Sequence, residues 1–492
     1  MNFRDLRRVY QKLVFAGWRQ QWRGGRLLLE FDYQLVANEA ERLTMRQELI
    51  ADADDGVISG ETVGWLDQLT TKTFTHRLEL GLKTGFLTEN DDLAGVIFQI
   101  GVVEAINYWK LACPAVIELA CGQLTTEMQS FWQKLVYKGL GEFIYVNQLH
   151  QPEVAGLELT ADNIVKFTTT SSTIYPKITV AGTGNLIPIG GGKDSAVTLE
   201  ILRDQVADNL PLVMSAPVAS YDCIAVAGYT NYAEIKRQLD PQILALNQAG
   251  FLNGHVPFSA ILAFISLLTA VVTGKRYIAL SNENSANEPS VPGTDFNHQY
   301  SKSWEFEADF RDYIAKFVVE GVEYFSLLRP LEELQIAELF SHYPAYHQLF
   351  RSCNVGKKTN SWCGHCPKCL FVFIMMAGFV DYDRVVAMFG KDLLADEQLL
   401  PILRQLLGLE QTKPFECVGT VSEVRRAMRL IVERHYSSGN TIADRQTATM
   451  PILLQKFVEY DLDAVKLAHD QHHAVPVELL AKLHKECAKY GV

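Results

Sequence analysis

Asn185-Leu186-Ile187-Pro188-Ile189-Gly190-Gly191-Gly192-Lys193-Asp194-Ser195-Ala196-Val197 is the stretch on which the reading of this 492-residue chain turns. Its first five residues read as a short buried strand. From Ser195 onward, Ala196, Val197, Leu199, Ile201 and Leu202 recur at helical period. The three glycines therefore sit at a strand-to-helix turn. Lacking Cβ atoms, they let backbone N–H groups converge on an anion, and the following helix directs its positive dipole end the same way. Ser195 is placed to cap that helix or to bond a phosphate oxygen. A Walker A loop ending at Gly192-Lys193 would need glycine where Ile187 stands and Ser or Thr where Asp194 stands. A dinucleotide fingerprint opening at Gly182 also needs glycine at position 187. Both fail, which leaves a pyrophosphate cradle of another type or a glycine-rich turn with no ligand.

Around this turn, strands and helices alternate: Leu186 to Ile189, Ser195 to Gln205, Cys223 to Ala227, Ile261 to Val272, and Tyr277 to Leu280. Alternation of this kind predicts an α/β domain, a parallel sheet covered on both faces, over residues 181–385. By the rule for open α/β sheets, an adenine pocket is expected near the end of the second strand, around Ala225 to Tyr229. Residues 1–180 read as an α+β region. Its strand-like runs are Arg26 to Phe31, Arg77 to Leu80, Phe143 to Val146 and Ile174-Tyr175, with helices over Leu93 to Lys110 and Glu127 to Tyr137. The first 25 residues read as a surface helix and turn, and acidic residues Asp52 to Gly56 as a turn. Residues 386–492 form a helical region with one strong break at Ser437 to Asn440.

Lys and Arg total 45 against 57 Asp and Glu, a formal charge of −12 that disfavours general nucleic-acid binding. The start of the chain carries no apolar run of signal-peptide type. The longest apolar segment, Phe258 to Val272, is interrupted by Ser259, Ser266 and Thr269 and reads as a buried helix, not a membrane span. Nine cysteines, four of them crowded between 353 and 369, are a poor disulfide framework and point to the reducing cytoplasm. Those four, Cys353, Cys363, Cys366 and Cys369, offer four thiolates shaped by Gly364 and Pro367, a natural tetrahedral site for structural Zn2+ with no open position. An iron–sulfur cluster and four unmetallated core cysteines are the alternatives.

A second polar segment, Ser281-Asn282-Glu283-Asn284-Ser285-Ala286-Asn287-Glu288, directly follows an apolar strand and would face the same crevice above the sheet. Its two carboxylates, with Asp194, are suited to hold Mg2+ against a leaving pyrophosphate. A solvated loop is the plain alternative.

Residues Gly190 to Ser195 resemble the Ser-Gly-Gly-x-Asp-Ser signature of PP-loop ATP pyrophosphatases: Gly191, Gly192, Asp194 and Ser195 match, and Gly190 replaces the first Ser. The resemblance implies cleavage of ATP between its α and β phosphates, with Gly190, Gly191, Gly192, Lys193, Asp194, Ser195, Ser281 and Asn282 holding the nucleotide. Lys193 occupies the variable position, either solvated or on phosphate. The cysteine spacing resembles the zinc knuckle of the synthases that make 7-cyano-7-deazaguanine, whose first interval is one residue shorter.

More widely, residues 91–380 resemble the UDP-N-acetylmuramoyl-L-alanyl-L-glutamate epimerase family. The likeness is carried by Asn107-Tyr108-Trp109-Lys110, Lys138-Gly139-Leu140-Gly141-Glu142-Phe143, Tyr145, Asn147, the glycine turn, Ser281 to Ala286 and Cys363 to Cys369. It implies an ATP- and Mg2+-dependent inversion of a glutamyl Cα through an acyl-adenylate, a step in peptidoglycan synthesis, on a small-molecule substrate and with no nucleic acid or membrane partner. Inversion needs proton exchange on both faces of Cα, for which Glu283, Asp295 and His298 are the candidates, with Asp194 at the phosphates. Trp109, Lys110 and Asn147 are the expected substrate contacts, and Arg77 and Lys138 further ones from charge alone. An adenylating synthase or ligase, a tRNA thiolase and a non-enzymatic nucleotide sensor share these motifs and stay open.

Overall fold

Gly24 and Gly25, both at positive φ (+59° and +71°), close a hairpin between strands β1 (Tyr10–Arg23) and β2 (Arg26–Ala37). Left-handed backbone at both turn positions matches the twist of the flanking strands, and glycine adopts it without a Cβ clash. The computed structural model describes residues 2–51, 60–90, 92–291, 293–294, 296–436, 450–462 and 472–492. They fall into two units, one of Met1–Ala181, Glu234–Gly274 and Asp309–Val322, the other of Gly182–Ala233, Lys275–Ala308 and Glu323–Val492. The fold is mixed α/β with a helical C-terminal region. No described helix is long and apolar enough to cross a membrane.

In the first unit β2 alternates strictly, burying Leu27, Leu29, Phe31, Tyr33 and Leu35. It pairs antiparallel with β1 and with β3 (Lys72–Leu82). Strand β4 (Val116–Leu119) runs parallel to β1, and β5 (Lys166–Thr169) parallel to β4. Helix α1 (Ala94–Trp109) is buried almost all round, because it packs both on this sheet and on helix Phe258–Thr273.

Within that helix Glu104 is fully buried. It accepts two bonds from Arg237 (2.7 and 2.6 Å) and one from Asn107 (2.8 Å), and lies 3.3 Å from His76. Burial alone would raise the carboxyl, but the charges and hydrogen bonds of Arg237 and His76 outweigh it and hold it at about 2. A depressed carboxylate stabilises the fold above its unfolded pKa and loses that contribution as pH falls through the folded value. Glu104 is therefore expected to contribute about 3 kcal/mol at neutral pH, lost between roughly pH 4 and pH 2. Urea melts across that range should show the loss in the wild type, and Glu104→Gln should remove the pH dependence together with the stability.

The structure corrects four readings of secondary structure. Residues 10–23 are strand, where a surface helix and turn were expected; only Phe3–Val9 is helical. Phe143 to Val146 lies in the short helix Gly141–Val146, where Ile144 N–H bonds Leu140 O at 2.8 Å, so the preceding helix overrides β propensity. Ile174-Tyr175 forms no strand, and Ile174 is 61% exposed. Cys223 to Ala227 belongs to a helix, since a short apolar run cannot distinguish a buried strand from a buried helix. The turns expected at Asp52 to Gly56 and at Ser437 to Asn440 lie outside the described residues.

The second unit contains a parallel sheet of β6 (Asn185–Pro188), β7 (Asn209–Met214), β8 (Tyr277–Leu280) and β9 (Glu323–Ser326), in the order β9-β8-β6-β7. Helix α2 (Lys193–Ile201) follows β6, and α3 (Val218–Val226) follows β7. The second strand is thus β7, so the crevice at its carboxyl end lies at 214–217 and not at Ala225 to Tyr229. Beyond β9 come α4 (Glu333–Ser341), the almost wholly buried α5 (Pro367–Ala377) and α6 (Val421–His435), with α5 packed against both α4 and α6.

Candidate functional site

Tyr277 of β8 stands opposite Asn185 of β6 in parallel register, so the loops leaving the two strands emerge side by side. From β6 the chain passes to β7 on one side, and β8 lies on the other. Such a reversal of strand order opens a crevice at the carboxyl ends, the usual ligand position in open parallel sheets. Gly190 to Ser195 and Ser281 to Glu288 flank it.

Gly192 is the N-cap of α2, and Gly191 adopts φ +82°. A Cβ at Gly191 would lie 2.7 Å from the backbone nitrogen of Ser220, and one at Gly192 would lie 2.9 Å from Ser352 Oγ. Gly191 O accepts from Arg351 N–H at 2.8 Å, and Ser195 Oγ accepts from Gly190 N–H at 3.1 Å. The turn is thus held from within and clamped by the segment before Cys353. Gly190 is different: it is exposed, and a Cβ there meets nothing closer than Ser195 Oγ at 3.9 Å. Gly190→Ser is expected to change stability by no more than about 0.5 kcal/mol and to preserve ATP turnover, read by thermal melting and AMP release.

Lys193 is buried, not solvated. Its ammonium pairs with Asp194 and lies 2.7 Å from Glu333 Oε1. Burial alone would depress the ammonium, but Asp194 and Glu333 more than offset it and raise its pKa. Glu333, also buried, is pushed up by desolvation and by the nearby Asp194, Glu283 and Glu423 carboxylates against the pull of Lys193. Its Oε2 has no hydrogen-bond partner. Carboxylates in excess, with one buried oxygen unpaired, fit a hard oxygen-seeking cation such as Mg2+.

On the second loop, Asn282 Nδ2 donates to Ser326 Oγ (3.1 Å), Ser285 Oγ to Glu283 Oε1 (3.3 Å), and Ser281 Oγ is buried without a partner. The loop is fastened by Arg329, a residue the sequence reading missed. Fully buried, it donates to Glu283 O (2.7 Å), Lys302 O (2.5 Å) and Glu307 Oε2 (3.0 Å). Its signal was a lone arginine in the apolar run Tyr324 to Leu331. His298 is half-buried, its backbone N–H on Ser290 Oγ at 3.1 Å. Asp295 lies outside the described residues.

Trp109, Lys110 and Asn147 belong to the first unit. Trp109 is buried with its indole N–H on Pro114 O (2.8 Å). Lys110 Nζ donates to Gly254 O (2.5 Å), and burial lowers its pKa to about 8. Asn147 Nδ2 donates to Phe143 O (2.8 Å) and Asn253 O (3.1 Å). Arg77 bonds Glu30 at 2.7 Å, and Lys138 lies in the last turn of helix Thr126–Gly139.

The sulfurs of Cys353, Cys363, Cys366 and Cys369 all lie within 4.8 Å of one another, with separations of 3.9 Å (353–366), 3.7 Å (363–369) and 3.5 Å (366–369). Four thiolates about 2.3 Å from a tetrahedral zinc would stand about 3.8 Å apart, so the set fits a structural Zn2+. Backbone N–H groups of Gly356 (3.1 Å) and Cys363 (3.4 Å) donate to Cys353 Sγ, as they would to a ligating thiolate.

Residues 47–327 match the MurL N-terminal domain, and residues 349–459 match the MurL C-terminal domain. The chain belongs to the MurL family. Among relatives, the UDP-N-acetyl-alpha-D-muramoyl-L-alanyl-L-glutamate epimerase of Micromonospora sp. is 38% identical over 356 residues, covering 70% of this chain and 76% of that protein. The protein of the same name from Salinispora tropica is 36% identical, covering 70% and 74%, and that of Xanthomonas oryzae pv. oryzae 35% identical, covering 68% and 73%. No solved structure matches the chain. The MurL N-terminal match includes both crevice loops, and the C-terminal match includes all four knuckle cysteines. The boundary between the two matches falls inside the second unit.

Proposed function

We propose that this MurL-family chain inverts the glutamyl Cα of UDP-MurNAc-L-Ala-L-Glu, using ATP to activate the carboxyl group and releasing AMP and pyrophosphate. The observation that carries the reading is family membership, through relatives 35–38% identical that bear the epimerase name. The glycine turn and polar loop at a strand-order reversal support the ATP step, and with it a PP-loop fold for the sheet of the second unit.

Activation answers a physical obstacle. Removing a proton from carbon beside a free carboxylate would place a second negative charge on that carboxylate. An acyl-adenylate lacks the first charge, and its carbonyl delocalises the new one. In this scheme the N–H groups of Gly191 to Ser195 and the N-terminus of α2 hold phosphate oxygens, with Ser281 and Asn282 facing them. Bound Mg2+ would neutralise the departing pyrophosphate. Asp194, Glu283 and Glu333 are the residues to hold it, and Lys193 keeps that acidic set in place. Glu283, His298 and Asp295 are the proposed proton carriers near Cα. Trp109, Lys110 and Asn147, with residues 1–180 generally, are assigned to the UDP-muramoyl body. The knuckle holds structural zinc next to the turn, in an ATP-splitting region of 181–385, with 386–492 as helical support. ATP and a UDP-linked precursor place the reaction in the cytoplasm.

The test is incubation with ATP, Mg2+ and UDP-MurNAc-L-Ala-L-Glu in deuterated water. The expected result is AMP together with deuterium at the glutamyl Cα and the D-glutamyl product. AMP without label, or a stable amide when an amine is added, would replace the epimerase by an adenylating ligase.

A further inference from the structure

Glu423, in the first turn of α6, is 2% exposed, a rare place for a carboxylate. Its Oε2 accepts from Thr420 N–H (2.7 Å) and from Thr420 Oγ1 (2.8 Å), while Thr420 Oγ1 accepts from Glu423 N–H (3.2 Å). These bonds form a capping box at the N-terminus of α6. The other oxygen serves a different helix: Oε1 accepts the N–H of Glu333, the first residue of α4, at 2.6 Å. N–H groups in the first turn of a helix have no partner within it, so this bond satisfies a donor that α4 would otherwise leave buried. Helix α4 lies against both α2 and α6, and Glu423 ties its first turn to a segment 90 positions later.

A cap alone accounts for half of this arrangement. A capping box needs one carboxylate oxygen and works at a solvated helix end, whereas a buried carboxylate costs free energy unless both oxygens are bonded. Gly419 closes in on Oε2, where a Cβ would come within 3.0 Å of it. The residue held by the second oxygen carries its own sign of a ligand. Glu333 is 4% exposed, its Oε1 lies 2.7 Å from Lys193 Nζ at the start of α2, and its Oε2 has no hydrogen-bond partner. Lys193 is already paired with Asp194 as well, so the open oxygen is suited to a further cation.

We propose that Glu423 is a positioning residue for the ATP step: bonded to Glu333 N–H, it sets the first turn of α4 so that Glu333 Oε2 stays open to Mg2+. This rests on the ATP and Mg2+ reading above. Glu423 touches neither nucleotide nor metal and acts through Glu333. The helical region that carries it, within the stretch matched to the MurL C-terminal domain, then has a part in the reaction besides supporting the core. Groups that orient a metal-holding side chain are worth about 10–100-fold in metal affinity. Removing Glu423 should therefore weaken metal binding without slowing the chemistry at saturating metal.

The test uses the full chain as wild type, Glu423→Ala, Glu423→Asp and Thr420→Ala, with Mn2+ standing for Mg2+ and α,β-methylene-ATP for ATP. Water-proton relaxation separates protein-bound from free Mn2+–nucleotide. Glu423→Ala is expected to weaken binding of the Mn2+ complex by about 10-fold or more. Glu423→Asp, its side chain one methylene too short to bond both Thr420 and Glu333, should show the same loss and carries the test if Glu423→Ala does not fold. Thr420→Ala breaks the capping box but leaves Glu423 on Glu333; it is expected to lower the melting temperature and to bind Mn2+ as wild type does. In AMP formation the Glu423 variants should need about 10-fold more Mg2+ for half-maximal rate and match wild type to within about 3-fold at saturating Mg2+. Wild-type Mn2+ affinity in either Glu423 variant, or an equal loss in Thr420→Ala, would overturn the proposal and leave the ATP reading intact. A wild type that binds no Mn2+–nucleotide and forms no AMP would overturn both.

Discussion

Gly191→Ala should lower substrate-dependent AMP formation by at least about 100-fold, the scale on which a misplacement of about 1 Å is felt in a positioned site. A methyl group at this position would stand 2.7 Å from Ser220 N and 3.0 Å from Ala219 C, both backbone atoms, in a residue at φ +82°. Neither contact can be relieved by turning a side chain. The left-handed backbone adds about 1–2 kcal/mol against alanine, so the turn itself must move. Its carbonyl would then leave Arg351 N–H, and the N–H groups of the turn would no longer converge. AMP release measured beside the melting temperature separates the two effects. A variant that melts near wild type yet makes no AMP has lost the cradle alone. Wild-type turnover in Gly191→Ala would mean that phosphate is held elsewhere, and the contrast with Gly190→Ser, one residue away, makes the expectation specific.

Loss of the knuckle should be as severe by another route. Cys369→Ala, or a strong chelator applied to the wild type, is expected to release one zinc per chain, to cost several kcal/mol of stability and to abolish AMP formation. Cys353 follows directly on Ser352, against Gly192, and on Arg351, whose N–H holds Gly191. Cys366 is the N-cap of α5, and Cys369, fully buried in its first turn, fixes the other side of the knuckle in the core of the second unit. The cluster therefore anchors a clamp on the glycine turn to the core. Metal content and a melting curve are the measurements; a zinc-free chain with unchanged melting and unchanged AMP formation would sink the assignment.

The glycine turn was readable as a strand-to-helix turn because a short buried run precedes it and a helical period follows it, and the four cysteines because their spacing closes on one point. Arg329 was not read, since nothing local distinguishes a buried arginine that bonds three distant groups from one at the surface. Strand β1 was missed although Gly24-Gly25 spells a two-residue hairpin, because the basic residues of Arg19 to Arg23 suggested solvent and the partner strand was read alone. Cys223 to Ala227 shows the converse error, an apolar run whose length fits either element.

The bond from Arg351 N–H to Gly191 O spans roughly 160 positions of chain. Strand β6, from which the turn springs, also waits for β8 before it has a neighbour on that side. At a synthesis rate of about 5–20 residues per second, the turn leaves the ribosome some 8–30 seconds before the residue that fastens it. The fastening of the turn is thus a late event in the life of each molecule. A nascent chain stalled before Arg351 would display the whole glycine signature without the bond that fastens it.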